Sequence, residues 1–190
     1  DITESIQAQE ALNKSEKRLR MFFECSQEGL IFHDKGIVED VNIAMLEMAG
    51  YTDEKERAGK NIINYISPAF REKVMNNILK ENTAKYEAEI VRSDGRIVPV
   101  EILPRHAEFS DGRNLRIASI IDITERKKAE KLRDINVRRT QALLTLSEMV
   151  NAPLHEITNF VLEEAISLTG SKMGYIAFVN EAEDILTMHA

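Results

Sequence analysis

The sequence has no tryptophan and a single cysteine, Cys25, in 190 residues. One thiol cannot close an internal disulfide and is too few for a zinc site, which fits a reducing compartment and a cytoplasmic location. Aromatic residues make up only 6% of the chain, too few for a platform on which bases could stack. The formal net charge of −7 points the same way, because an acidic surface repels a phosphate backbone. No nucleic-acid partner is expected. No apolar run approaches the ~20 residues that span a bilayer, and no basic-then-apolar leader opens the chain, so this segment is expected to make no membrane contact. A phosphate-binding glycine loop, a nucleophile with its base and a frame of paired carboxylates are all missing, so the chain is read as non-catalytic. Its four histidines show no metal-ligand spacing, and no metal site is expected.

What is present is the composition of a folding chain, 43% hydrophobic and 30% charged. The length fits one domain plus extra pieces. Asp1 in place of a methionine suggests a piece of a longer polypeptide.

Residues 1–27 read as a charged helix, with Asp1 and Glu4 at capping-box spacing. Ala8, Leu12, Ser15, Leu19 and Phe22 form a thin heptad-like stripe along it. A helix this polar needs a partner surface. Leu30–His33 and Ile37–Val41 then read as a hairpin around Asp34-Lys35-Gly36. Asn42 can cap a helix 43–49 that Gly50 stops. Short helical pieces around Gly59 occupy 53–66, and Ser67-Pro68 open a helix 69–82 with Phe70, Val74, Ile78 and Leu79 on one face.

Strands 86–92, 96–109 and 115–121 follow as a meander, joined by Asp94-Gly95 and Asp111-Gly112. Val98, Val100 and Ile102 alternate, so one face of the middle strand is buried. The expected fold class is α+β, an antiparallel sheet with helices on one side. Asp122 and Glu125 repeat the capping-box spacing and launch a charged helix, about 123–150, whose stripe is Ala129, Leu132, Leu143, Leu146 and Val150. Pro153 separates it from a cleaner amphipathic helix, 154–168, ended by Gly170. Two strands, 174–179 and 185–189, close the chain, and two strands alone make no stable sheet. Asp-Ile-Thr-Glu at 1–4 recurs at 122–125, each time opening a charged helix, as if Asp1 marked the end of a preceding copy of the same domain.

Gly29-Leu30-Ile31-Phe32-His33-Asp34 with Gly36 and Val41-Asn42, Met48-Ala49-Gly50-Tyr51-Thr52, Gly59-Lys60-Asn61-Ile62, Ser93-Asp94-Gly95-Arg96 and Asp122-Ile123-Thr124-Glu125-Arg126 together resemble a PAS domain over about 23–126. Residues 142–190 resemble the opening of a GAF domain, with Ser171-Lys172-Met173-Gly174-Tyr175 starting its strands. The organisation implied is a linker helix 1–22, a PAS domain 23–126, a signalling helix 127–150 and a GAF fragment 151–190. The family fold is a five-stranded antiparallel sheet with helices on one face, flanked here by long N- and C-terminal signalling helices.

The resemblance implies a sensory relay module of a multidomain protein, foremost a sensor histidine kinase of a two-component phosphorelay. It would dimerise through its helices and feed downstream GAF and kinase domains. Part of a diguanylate cyclase or other sensor enzyme, and a passive dimerisation spacer, are the alternatives. A small-molecule pocket would be lined by Met45, Met48, Ile62, Ile66, Val74, Ile78, Val98, Val100 and Ile102, although apolar residues at these spacings are equally the ordinary core. The cofactor stays unassigned. Ile62 stands where a flavin adduct needs cysteine, and helix 69–82 has no histidine for haem, so both are disfavoured. His33 and His106 fall on strands, where a hydrogen-bonded or surface imidazole is the commoner fate. His155-Glu156 resembles a phospho-acceptor box, but Phe160 stands where that pattern expects proline. Signal coupling falls to Asp122, Thr124 and Arg126: Asp122 as helix cap and as an i,i+4 ion pair with Arg126, Thr124 bonding back to the sheet.

Overall fold

A computed structural model describes residues 2–52, 59–108, 114–179 and 186–188. The chain divides into two units, 1–125 and 126–190. In the first, α1 (Ile2–Glu24) leads into β1 (Gly29–Asp34), β2 (Ile37–Val41) and α2 (Ile43–Ala49). Two 3-10 turns, Ile62–Tyr65 and Pro68–Phe70, precede α3 (Arg71–Leu79), and β3 (Tyr86–Val91), β4 (Ile97–Glu108) and β5 (Asn114–Asp122) complete the unit. The five strands form one antiparallel sheet in the order β2-β1-β5-β4-β3. The β1–β2 and β4–β5 hairpins are thus brought together by β1 pairing with β5.

The alternation expected for the middle strand decides which face is covered. Val98, Val100 and Ile102 point to the helices, with Ile31, Ala88, Ile90, Ala118 and Ile120 beside them from the other strands. Met45, Leu46 and Ala49 of α2 and Val74 and Ile78 of α3 close this core from above. The β1–β2 turn carries positive φ at both Lys35 and Gly36, the primed turn whose twist matches its strands. Around Asp94-Gly95, Arg92 N–H bonds Arg96 O and Gly95 sits at φ 82°, so that hairpin forms as expected.

Some expectations shift. Asn42 caps α2 and Gly50 ends it at φ 75°, as read from the sequence. Ser67, however, is buried and its hydroxyl caps nothing; Phe70 N–H bonds its carbonyl instead, in a 3-10 turn. Helix α3 stops at Leu79 rather than 82, because Glu81 turns left-handed at φ 50°, and Leu79 is exposed rather than on the buried face. The Asp1 cap, residues 53–58 and the Asp111-Gly112 turn lie outside the described residues.

The second unit contains most of α4 (Thr124–Glu148), which starts in the first, then α5 (Leu154–Thr169) and a small antiparallel pair, β6 (Ala177–Val179) with β7 (Leu186–Met188). Gly170 ends α5 at φ 67°. The stripe residues Leu12, Leu19 and Phe22 on α1 and Leu132 and Leu143 on α4 are exposed. Among the described residues no helix is long and apolar enough to cross a membrane.

Candidate functional site: the sheet core, its polar end and the exit junction

The core encloses a cavity of about 30 Å³ between the inner sheet face and the helices. Six of the residues expected to line a pocket do so: Met45, Ile62, Ile66, Val74, Ile78 and Ile102. Met48, Val98 and Val100 do not. They sit towards the β3–β4 hairpin, where the α2 C-terminus is tied down by Ser93 N–H to Ala49 O and by Arg92 to Met48 O at 2.6 Å. The volume is room for about one water molecule, well below the ~300 Å³ at which small-molecule sites begin.

The cavity also touches residues outside the expected lining, chiefly His33, Tyr65, Tyr86 and Arg116. His33 on β1 and Arg116 on β5 are paired across the ladder and both are buried. Gly36 N–H donates to His33 Nδ1 at 3.1 Å, which ties the ring to its own turn. Burial, with the neighbouring Arg116 charge adding to it, holds the His33 pKa down at about 4. The Tyr86 phenol is pushed up by burial, with Arg116 opposing.

Arg116 is the clamp of α3. Its Nη1 donates to Asn77 O at 2.8 Å and to Ile78 O at 3.4 Å, and its Nη2 donates to Asn82 O. Asn77 O and Ile78 O already accept from Asn82 N–H and Glu81 N–H, so Arg116 adds a second donor to each at the end of α3, where a cation also meets the negative end of the helix dipole. Arg105 Nη1 to Thr83 O at 3.0 Å and His106 Nε2 to Glu81 O at 3.2 Å extend the same clamp from β4. Burial lowers the Arg116 pKa from its ordinary value.

At the other end of the sheet, Asn42 is fully buried and uses both polar atoms of its side chain twice. Oδ1 accepts from Leu30 N–H at 2.8 Å and Met45 N–H at 3.0 Å. Nδ2 donates to Glu28 O at 2.9 Å and Phe23 O at 3.1 Å. One side chain thus fastens α1, β1 and α2 together. Around it Glu24 accepts from Ile43 N–H at 2.9 Å, Arg20 pairs with Asp40 at 2.7 Å, and the Phe23 and Phe32 rings lie 5.3 Å apart.

The exit junction is short. Asp122 Oδ1 accepts from Thr124 N–H at 2.7 Å and so caps α4, as expected. Arg126 Nε lies 3.9 Å from Glu130 Oε1, one turn further along. Thr124 meets Asp122 through its own backbone N–H. The link back to the sheet is Ile123, whose N–H donates to Pro99 O at 3.0 Å and whose side chain is buried. Ile123 is not among the expected coupling residues, though an apolar residue between two polar ones at a strand end is the signal for it.

A family model described as PAS domain matches residues 27–125, just over half of the chain. The chain belongs to the PAS domain family. Its five-stranded sheet with helices on one face is the PAS fold. Over 98% of its length it is 36% identical to the Methyl sulfide methyltransferase-associated sensor of Methanosarcina acetivorans, and it spans 19% of that protein. Among solved structures, the PAS domain of an HTR-like protein from Haloarcula marismortui has a TM-score of 0.56 at 25% identity, over 62% of this chain and 98% of that one. The PAS domain of a protein from Colwellia psychrerythraea has a TM-score of 0.51 at 19% identity, over 57% and 97%, and shows the fold alone.

Proposed function

We propose that this chain is a non-catalytic sensing and relay segment of a cytoplasmic multidomain signalling protein, a sensor histidine kinase of a two-component phosphorelay. In this reading α1 and α4 pair two copies, and residues 151–190 open a GAF domain that receives the signal. The observation that carries it is the exit junction. The last strand of the PAS sheet runs into a 25-residue helix across the single residue Ile123, where the Asp122 cap, the Ile123 bond to Pro99 and the buried Ile123 side chain make the join. A cap is worth about 1 kcal/mol and an exposed helix pair such as Arg126–Glu130 about 0.3–0.5 kcal/mol, so a shift of the sheet can move or melt the start of α4. The sensor named among the relatives, matched over nearly all of this chain, supports the same role. The small core cavity favours a second reading, a dimerisation spacer that relays without holding a ligand in its core.

In the intact parent protein, Asp122→Ala is expected to leave the PAS domain folded and to cut the stimulated output several-fold. A folded variant with unchanged output contradicts the relay. Dimerisation is tested separately, since exposed Leu12, Leu19, Leu132 and Leu143 give both helices an apolar stripe. Light scattering on the 190-residue chain at micromolar concentration is expected to give twice the monomer mass, and a monomer only would refute pairing through the helices.

A further inference from the structure

Beside the core, at the end of the sheet where α3 stops, lies a second and more open cavity of about 290 Å³. His33 and Arg116 belong to both cavities. They form the floor of the larger one, and both carry unspent binding capacity. Because Gly36 N–H donates to His33 Nδ1, the neutral ring holds its proton on Nε2. That Nε2–H donor has no hydrogen-bond partner among the described residues, although only 2% of His33 is exposed. Arg116, 6% exposed, bonds three main-chain carbonyls and no carboxylate among the described residues. The α3 dipole supplies about half a negative charge against its full positive one. Glu81 adds a negative charge through space but no hydrogen bond, so an anion in direct contact with Arg116 still stabilises this buried cation further.

The mouth of the cavity has the opposite character. Asp34, Glu39 and Glu81 stand there against a single Lys35. A plain anion is attracted by the floor and repelled by the mouth, whereas a cation alone meets the reverse. A molecule with a carboxylate at one end and an ammonium at the other satisfies both. A volume of about 290 Å³ suits a compact ligand, at the low end of small-molecule sites.

We propose that this cavity is a binding site for a small zwitterion of the amino-acid class, its carboxylate on His33 and Arg116 and its ammonium towards Glu81, Glu39 and Asp34. The proposal rests on the reading of the chain as a sensor, but binding is measured on the chain itself and relay by the output of the Asp122→Ala parent, so either can fail alone. Isothermal titration of the 190-residue chain with each of the twenty standard amino acids is expected to show at least one binding one-to-one with a Kd below about 1 mM. Acetate and methylammonium, each carrying one half of the charge pattern, are expected to bind at least about tenfold more weakly.

His33→Asn keeps an acceptor for Gly36 N–H and removes the Nε2 donor, and Glu81→Gln removes one exposed charge. Each is expected to weaken the bound amino acid about tenfold while the circular dichroism stays that of the parent chain. No binding of any amino acid up to about 10 mM by folded protein overturns the proposal. Binding that both variants leave unchanged, or acetate binding as tightly as the amino acids, overturns it too.

Discussion

Asn42→Ala is expected to lower the unfolding free energy of the PAS unit by about 3–5 kcal/mol, a large share of the ~5–15 kcal/mol that holds a domain of this size. The reason is the number of groups it leaves behind. Four main-chain atoms, on Phe23, Glu28, Leu30 and Met45, lose their partner at once. The side chain is completely buried, so water cannot replace it without opening the site. Each bond made is worth only about 1 kcal/mol net, but an abandoned buried group costs ~1–3 kcal/mol. The loss also spreads in space, because the four groups lie on α1, β1, α2 and the segment between α1 and β1. Urea unfolding followed by circular dichroism should show a lower midpoint at unchanged slope. A loss below about 1 kcal/mol would mean that the α1–β1–α2 corner is held by something other than this side chain.

The second large effect is acid sensitivity centred on His33. Its folded pKa is about 4 against an ordinary 6.5. Between those values the unfolded chain binds the proton and the folded chain does not, so the unfolding free energy falls as pH falls. Stability from this group is complete above about pH 6.5 and is lost on descending to about pH 4, at up to ~1.4 kcal/mol per pH unit and about 3 kcal/mol in all. Arg116 on β5 and His106 on β4 oppose the charged ring, and Asp34 on its own strand favours it. Tyr86 on β3, Glu39 on β2, Lys35 in the turn and Glu81 after α3 complete the surroundings. His33→Asn removes the titration and is expected to flatten the stability profile between pH 6.5 and 4. A profile as steep in the variant as in the parent chain would place the acid lability elsewhere.

What the sequence made legible is what its neighbours decide. Asn42 before a short apolar helix and Gly50 after it are local cap signals, and both hold. Val98, Val100 and Ile102 announce their buried face through simple alternation. Arg116 could not be read in this way. It occupies the inner position of β5 between Leu115 and Ile117, where a charge looks like an error until its acceptors are known, and those lie 34 to 39 residues earlier, at the end of α3. The same distance hid the end of α3 itself, because no glycine or proline marks it and the clamp from β4 and β5 does. His33 was closer to reach. Gly29, Ile31 and His33 alternate inwards on β1, so its burial followed from the strand, but the bond that orients it comes from a turn. For the pocket, residue type named a common apolar core, and only the docking of α2 on the β3–β4 hairpin separates Met48, Val98 and Val100 from the rest.

Relay requires that the domain hand its state to α4 through a catch that can open while the sheet stays closed. Amide hydrogen exchange on the parent chain and on Asp122→Ala reads this residue by residue. Faster exchange at Thr124 and through the first turn of α4, with the amides of β4 and β5 as protected as before, is the predicted result. If the strands loosen together with the helix, or if neither changes, then Asp122 is no separate catch and the relay has no hinge there.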